Sequence, residues 1–211
     1  MGWTSYHATH YDNRGRVDRK AECDACFTEG LSAGWYKIEK SALVGTTYYA
    51  AIRPLLRYKA VKPRVGDETE PVPKSEQRVF AVVFQTSTNA KDYYNFSYKD
   101  MDETMGPGPD DCPLSILNLL SPTDYEYANA WRDRCRVKAA RKKAERSDPN
   151  SLDNLPIGTV IKCGETELFK SAPMAQFKRP FWMVVGERIY YRKKTILYLG
   201  YEIISKPETV S

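Results

Sequence analysis

The run Val79-Phe80-Ala81-Val82-Val83-Phe84 is the most apolar in the chain and constrains it most. Six residues cannot cross a bilayer, which takes about 20 in a helix. Continuous Val and Phe without alternation predict a strand buried on both faces, so layers must pack on either side of it. A turn cluster, residues 86–92, follows. Tyr93-Tyr94-Asn95-Phe96-Ser97-Tyr98 then alternates polar and aromatic side chains, as in a strand with one wet face. Residues 99–112 form an acidic loop rich in Gly and Pro, and Pro113 opens a short apolar helix to Leu120.

The rest of the chain fits around this unit. Trp3 to Tyr11 predicts a first strand. Asp18 predicts an N-cap for a helix over 19–28, in which Cys23, Cys26 and Phe27 share a face and Gly30 supplies a stop. Val44 to Ile52 is β-branched and aromatic, hence a strand, with Gly45 at a bulge or close backbone approach and Pro54 at its end. Residues 59–74, with three prolines, read as an exposed loop and the flexible segment of this domain.

Thr123 and Glu126 have capping-box spacing before a helix to about Arg146, with an apolar stripe of Ala128, Trp131, Cys135 and Ala139. A polar linker spans 147–154. Short strands follow at 158–163, 167–169, 181–185, 188–191 and 197–204, with a two-residue hairpin at Gly186-Glu187. The expected class is α+β. An N-terminal mixed domain with an antiparallel sheet (1–122) leads through a connecting basic helix (123–146) and linker (147–154) to a small SH3-like β-barrel (155–211).

Charge is divided along the chain. Residues 1–131 carry 15 Lys/Arg against 18 Asp/Glu, whereas residues 132–146 carry 8 against 2, and 155–211 carry 9 against 5. Such asymmetry points to a polyanionic partner. The helix end offers Arg136, Lys138, Arg141, Lys142 and Lys143. The barrel offers Lys178, Arg179, Arg192, Lys193 and Lys194, interleaved with Phe181, Trp182, Tyr190 and Tyr191. Cations among aromatics suit single-stranded or bent nucleic acid. They are equally the make-up of a solvated helix end and of a barrel with an aromatic core or a protein-docking surface.

Two other patterns carry chemistry. His7, His10, Cys23 and Cys26 form a chemically complete zinc set. On a regular strand, however, His7 and His10 point to opposite faces, and the two thiols lie on the apolar side of their helix, where thiols simply pack. Asp100, Asp102, Glu103, Asp110 and Asp111 are hard oxygen donors of the kind that hold Mg²⁺ or Ca²⁺ in a metal-dependent enzyme, although the spacing is not that of an EF-hand. No phosphate-binding glycine loop, nucleophile elbow or zinc-protease helix is present. Five cysteines, an odd count, and no run of transmembrane or signal-peptide type lead to the expectation of a cytoplasmic protein with reduced thiols and no membrane partner.

Four blocks carry a wider resemblance: residues 1–9, residues 18–22, Lys91 to Thr104, and Leu155-Pro156-Ile157-Gly158. With them the chain resembles, over nearly its whole length, a protein family widespread in Gram-positive gut bacteria and in their phages and mobile elements. The family has no established activity, so the resemblance implies a setting and transfers no catalytic residue. The expected function is that of a non-enzymatic accessory protein in the host bacterial cytoplasm, binding nucleic acid or a host nucleoprotein in counter-defence. The rivals are a metal-dependent enzyme acting on nucleic acid or nucleotides through the acidic loop, and a protein-only inhibitor or scaffold.

Overall fold

A computed structural model describes residues 4–59, 68–90, 92–102, 108–175 and 177–207. The chain divides into two compact units, Met1–Ala140 and Arg141–Ser211. No helix among the described residues is long and apolar enough to cross a membrane.

The first unit is built on a five-stranded antiparallel sheet. Its strands are β1 (Thr4–His7), β2 (Tyr36–Val44), β3 (Thr47–Pro54), β6 (Phe80–Ala90) and β7 (Tyr93–Met101), in the order β1-β7-β6-β3-β2. A small side hairpin pairs β4 (Leu56–Tyr58) with β5 (Thr69–Pro71). Helix α1 (Arg19–Thr28) covers one face. Helices α2 (Leu114–Leu117) and α3 (Glu126–Ser147) bring apolar side chains to the other.

The period-2 alternation of strands makes this possible. From β3 and β6, Tyr48, Ala50, Ile52, Val82 and Phe84 pack with Cys23 and Phe27 of α1. Their neighbours Tyr49, Ala51, Ala81 and Val83 pack with Ile116, Leu117, Trp131 and Cys135. The expected two-sided burial of the Val79 run is therefore met. Asp18 caps α1 as expected, accepting from the Lys20 and Ala21 backbone N–H groups at 3.0 Å each.

A buried ion pair fastens α3 to the sheet. Asp102 Oδ1 accepts the Ala81 N–H at 2.8 Å, and Oδ2 accepts Arg132 Nε at 2.7 Å. Arg132 Nη1 donates to the Ser121 carbonyl at 2.7 Å, and Val79 N donates to Ser121 Oγ at 2.9 Å. Burial raises the Asp102 carboxyl above its ordinary value, with Arg132 opposing. Trp131 Nε1 donates to the Pro109 carbonyl at 2.7 Å, which ties the chain before α2 to the same helix.

The N-terminal segment is held to α1 by Glu22, whose buried carboxylate accepts the Thr9 N–H and, at 2.6 Å, the His10 N–H. The His10 ring faces Glu22 and Glu29. Burial lowers its pKa, but hydrogen bonds and charge from Glu22 and Glu29 outweigh this, and the net shift is upward from 6.5. A raised folded-state value means the ring binds its proton more tightly in the native state. Its stabilisation is complete below pH 6.5 and is lost as pH rises through the folded value. His10→Asn should remove that part of the pH dependence of hydrogen exchange in the segment around residues 8–10. An unchanged exchange profile would contradict this role.

The second unit is a five-stranded antiparallel sheet in the order β11-β10-β9-β8-β12. Its members are β8 (Val160–Cys163), β9 (Thr166–Ser171), β10 (Phe181–Val184), β11 (Tyr190–Tyr191) and β12 (Glu202–Ser205), with helix α4 (Lys193–Leu199) between the last two. No pairing of β11 with β12 closes it among the described residues. Leu152, Leu155, Ile161, Leu168, Trp182 and Ile196 form the core. A turn is present with Gly186 at φ +81°, but the Val184 N–H bonds to the Ile189 carbonyl at 2.9 Å, so the loop holds four residues, 185–188, and is not the expected two-residue hairpin.

Several expectations need correction. Residues 86–90 continue β6 instead of turning, because Thr86, Ser87 and Ala90 pair with Phe96, Asn95 and Tyr93 of β7. The expected single strand over 44–52 is the second arm of a hairpin. Gly45, at φ +62°, makes its turn, and the register irregularity falls between Ile38 and Lys40. The loop expected over 59–74 contains β5, while residues 60–67 lie outside the described residues. Thr123 Oγ1 accepts from Tyr125 N at 3.3 Å, and α3 begins at Glu126 without the reciprocal box among the described residues. The strand expected over 197–204 is split: α4 occupies its first part and ends at Gly200, φ +78°, before β12.

Candidate binding groove

The interleaved cations and aromatics of the C-terminal segment come together in space. A groove of about 760 Å³ in the second unit is lined by Leu152, Asp153, Lys170, Phe177, Arg179, Pro180, Phe181, Trp182, Tyr190, Tyr191, Arg192 and Lys193. The strand register explains the assembly. Trp182 stands opposite Lys170 on β9 and Tyr191 on β11, which sets these three on the core face. Met183 stands opposite Phe169 and Tyr190 on the other face, which Phe181 shares by alternation. Side chains of both sets line the groove.

On the outer set, the rings of Phe177, Phe181 and Tyr190 form a triangle. Their centroids lie 4.5, 4.9 and 5.4 Å apart, and the rings are tilted against one another. Tyr190 is 39% exposed and the two phenylalanines less so. Aromatic pairs prefer such offset and edge-on packing, so the cluster is held in place by its own contacts.

The cations of the groove have different work. Lys170 is buried, and its Nζ donates to the carbonyls of Leu152, Asp153 and Leu155 at 2.9, 2.8 and 2.6 Å. All three protons are used, so none is left for a ligand. Its Nζ lies 6.0 Å from the Trp182 ring centroid, and burial lowers its pKa. Lys170 is therefore a staple that fixes the 152–155 segment as one wall. Lys170→Met would leave three carbonyls without their donor. It should lower the stability of the second unit by roughly 2–4 kcal/mol in urea unfolding; a change below about 0.5 kcal/mol would contradict the assignment.

Lys193 pairs with Asp153 on the rim. Arg179 and Arg192 are exposed and have no carboxylate partner among the described residues. These two are the groove's uncommitted charges. Lys178 and Lys194, each exposed and without a carboxylate partner among the described residues, flank them in sequence and do not line the groove.

The basic helix end is different. Arg136 pairs with Asp133, and Arg141 with Glu145. Lys138 bridges Asp110 and Asp111, whose hydrogen bonds raise its pKa. Lys142 is also engaged, whereas Lys143 is exposed. Arg136 and Lys138 belong to the first unit, and the other eight expected contact residues belong to the second. With the boundary placed after Ala140, residues 1–140 hold 19 Lys/Arg and 19 Asp/Glu, and residues 141–211 hold 13 and 8. The whole net charge resides in the second unit.

Cys23 is fully buried in the core, and Cys26 Sγ points to the Glu22 carbonyl at 3.5 Å. The His10 ring is taken up by Thr9, Glu22 and Glu29, and His7 lies against the Tyr93 ring at 4.7 Å. In the acidic loop, Asp102 is committed to Arg132, and Asp110 and Asp111 to Lys138. Glu103 lies outside the described residues. Among the described residues no three His, Cys, Asp or Glu side chains are grouped to hold a metal.

Phe177 and Tyr190 complete the triangle with Phe181, and Phe177 was not singled out by its sequence position. Only the chain's path between β9 and β10 brings it there. No protein-family model matches this chain, and no curated protein and no solved structure matches it.

Proposed function

We propose that this chain is a non-enzymatic nucleic-acid-binding protein and that the groove of its second unit is the contact surface. The observation that carries the reading is the coincidence, in one groove, of a packed aromatic triangle with two guanidinium groups that have no carboxylate partner among the described residues. Guanidinium groups recognise phosphate through a planar fork of donors, and ring faces accept bases. The confinement of the net positive charge to this unit speaks for the same partner. The strand order supports an SH3-like reading of the unit, since β12 returns beside β8 after a short helix. With the resemblance described above, the role is that of an accessory protein of a phage or mobile element.

Fluorescence anisotropy with labelled DNA and RNA oligomers tests this on the full chain. Binding should be measurable at about 50 mM salt and weaken as salt rises. Two phosphate contacts give a slope of log K against log salt of about −1.4 on single strands, or roughly 7-fold between about 50 and 200 mM. No binding of either polymer at low salt would remove the reading.

A further inference from the structure

We infer that the ligand of this groove is single-stranded nucleic acid, gripped by stacking of bases on the Phe177–Phe181–Tyr190 triangle while Arg179 and Arg192 hold the flanking phosphates. This rests on the nucleic-acid reading and narrows it to one form of the polymer. In a duplex the base faces are stacked on one another, and only their edges reach the grooves. A protein that reads a duplex therefore presents hydrogen-bond donors and acceptors to those edges. Of the charged side chains in this groove only Arg179 and Arg192 are uncommitted, and two cations beside a cluster of rings offer few donors and no carboxylate or amide acceptor for those edges. Lys170 spends its three protons on carbonyls, and Lys193 and Asp153 are paired with each other. What the groove offers instead is ring surface, from Phe177, Phe181 and the exposed Tyr190, within a concavity.

Stacking is indifferent to base identity, because every base has a π-face. The groove should accordingly bind strands with little sequence preference. With only two uncommitted cations, phosphate contacts contribute a shallow salt dependence, and removal of the bases should be felt more than a change of salt.

The test compares three probes on the full chain: an oligothymidine of about 12 nucleotides, an abasic oligomer of equal length and charge, and the matching duplex. The oligothymidine should bind roughly 5- to 150-fold more tightly than the abasic strand and more tightly than the duplex. Phe181→Ala and Tyr190→Ala should each bring oligothymidine toward the abasic affinity while leaving abasic binding unchanged. A thermal melt of each variant confirms that it is folded. If Phe181→Ala, which is half-buried, fails to fold, the exposed Tyr190→Ala and the abasic probe still decide. Equal affinity for the thymidine and abasic strands, or tighter duplex binding, overturns the single-strand assignment while leaving nucleic-acid binding intact. Failure of all three probes to bind overturns the broader reading and this one with it.

Discussion

Asp102→Ala is expected to cost the first unit about 3–5 kcal/mol of stability, the range for removing one partner of a buried ion pair. The carboxylate is fully buried and joins three pieces of chain: the Ala81 N–H on β6, the end of β7 that carries it, and Arg132 on α3. Without it, the Arg132 guanidinium stays in the interior with no counter-charge. The loss should appear as a lower urea midpoint and as faster hydrogen exchange in β6 and α3, with β8 to β10 unchanged. Replacing both partners, Asp102→Ala with Arg132→Met, removes the orphaned charge and should recover part of the loss. A single variant within about 0.5 kcal/mol of the parent would contradict the account. So would a double variant less stable than the single one.

Reversing both uncommitted charges of the groove, Arg179→Glu with Arg192→Glu, is expected to weaken oligonucleotide binding by on the order of 100-fold at low salt. On the proposed reading each substitution replaces a phosphate contact with a repulsive carboxylate, at an arginine that has no carboxylate partner among the described residues. Both side chains are exposed, so stability should stay within about 0.5 kcal/mol of the parent. The same reversal at Arg136, which is paired with Asp133 in the first unit, should change affinity only a few-fold. Comparable losses from the two sets would show that charge in general, and not this groove, does the binding.

The central strand, the three helices that pack on its sheet, and the α1 cap were legible because they depend on local rules. Continuous Val and Phe give two-sided burial, and Asp18 precedes an apolar stripe by the right spacing. What was not legible depends on partners distant in sequence. Arg132 looked like one more cation of a basic helix, yet its partner Asp102 lies thirty residues away, directly after β7. Lys138 likewise reads as a free cation in the sequence, yet Asp110 and Asp111 lie beside it. The strand expected over 197–204 rested on the run Leu197-Tyr198-Leu199, but these three side chains are exposed at the end of α4, which is anchored by the buried Ile196 and ended by Gly200. In the groove, the alternation of cations and rings was visible along the chain. That Arg179 and Arg192 have no carboxylate partner among the described residues, while Lys193 and Lys170 are engaged, follows from tertiary neighbours that spacing does not reveal.

The most direct measurement is photocrosslinking of the full chain to a halogenated single-stranded oligonucleotide, with the attachment points identified by mass spectrometry. The account predicts crosslinks on Phe177, Phe181 and Tyr190, abolished by the Arg179→Glu, Arg192→Glu pair. Crosslinks that fall instead on the exposed face of α3 or on the first unit would contradict it.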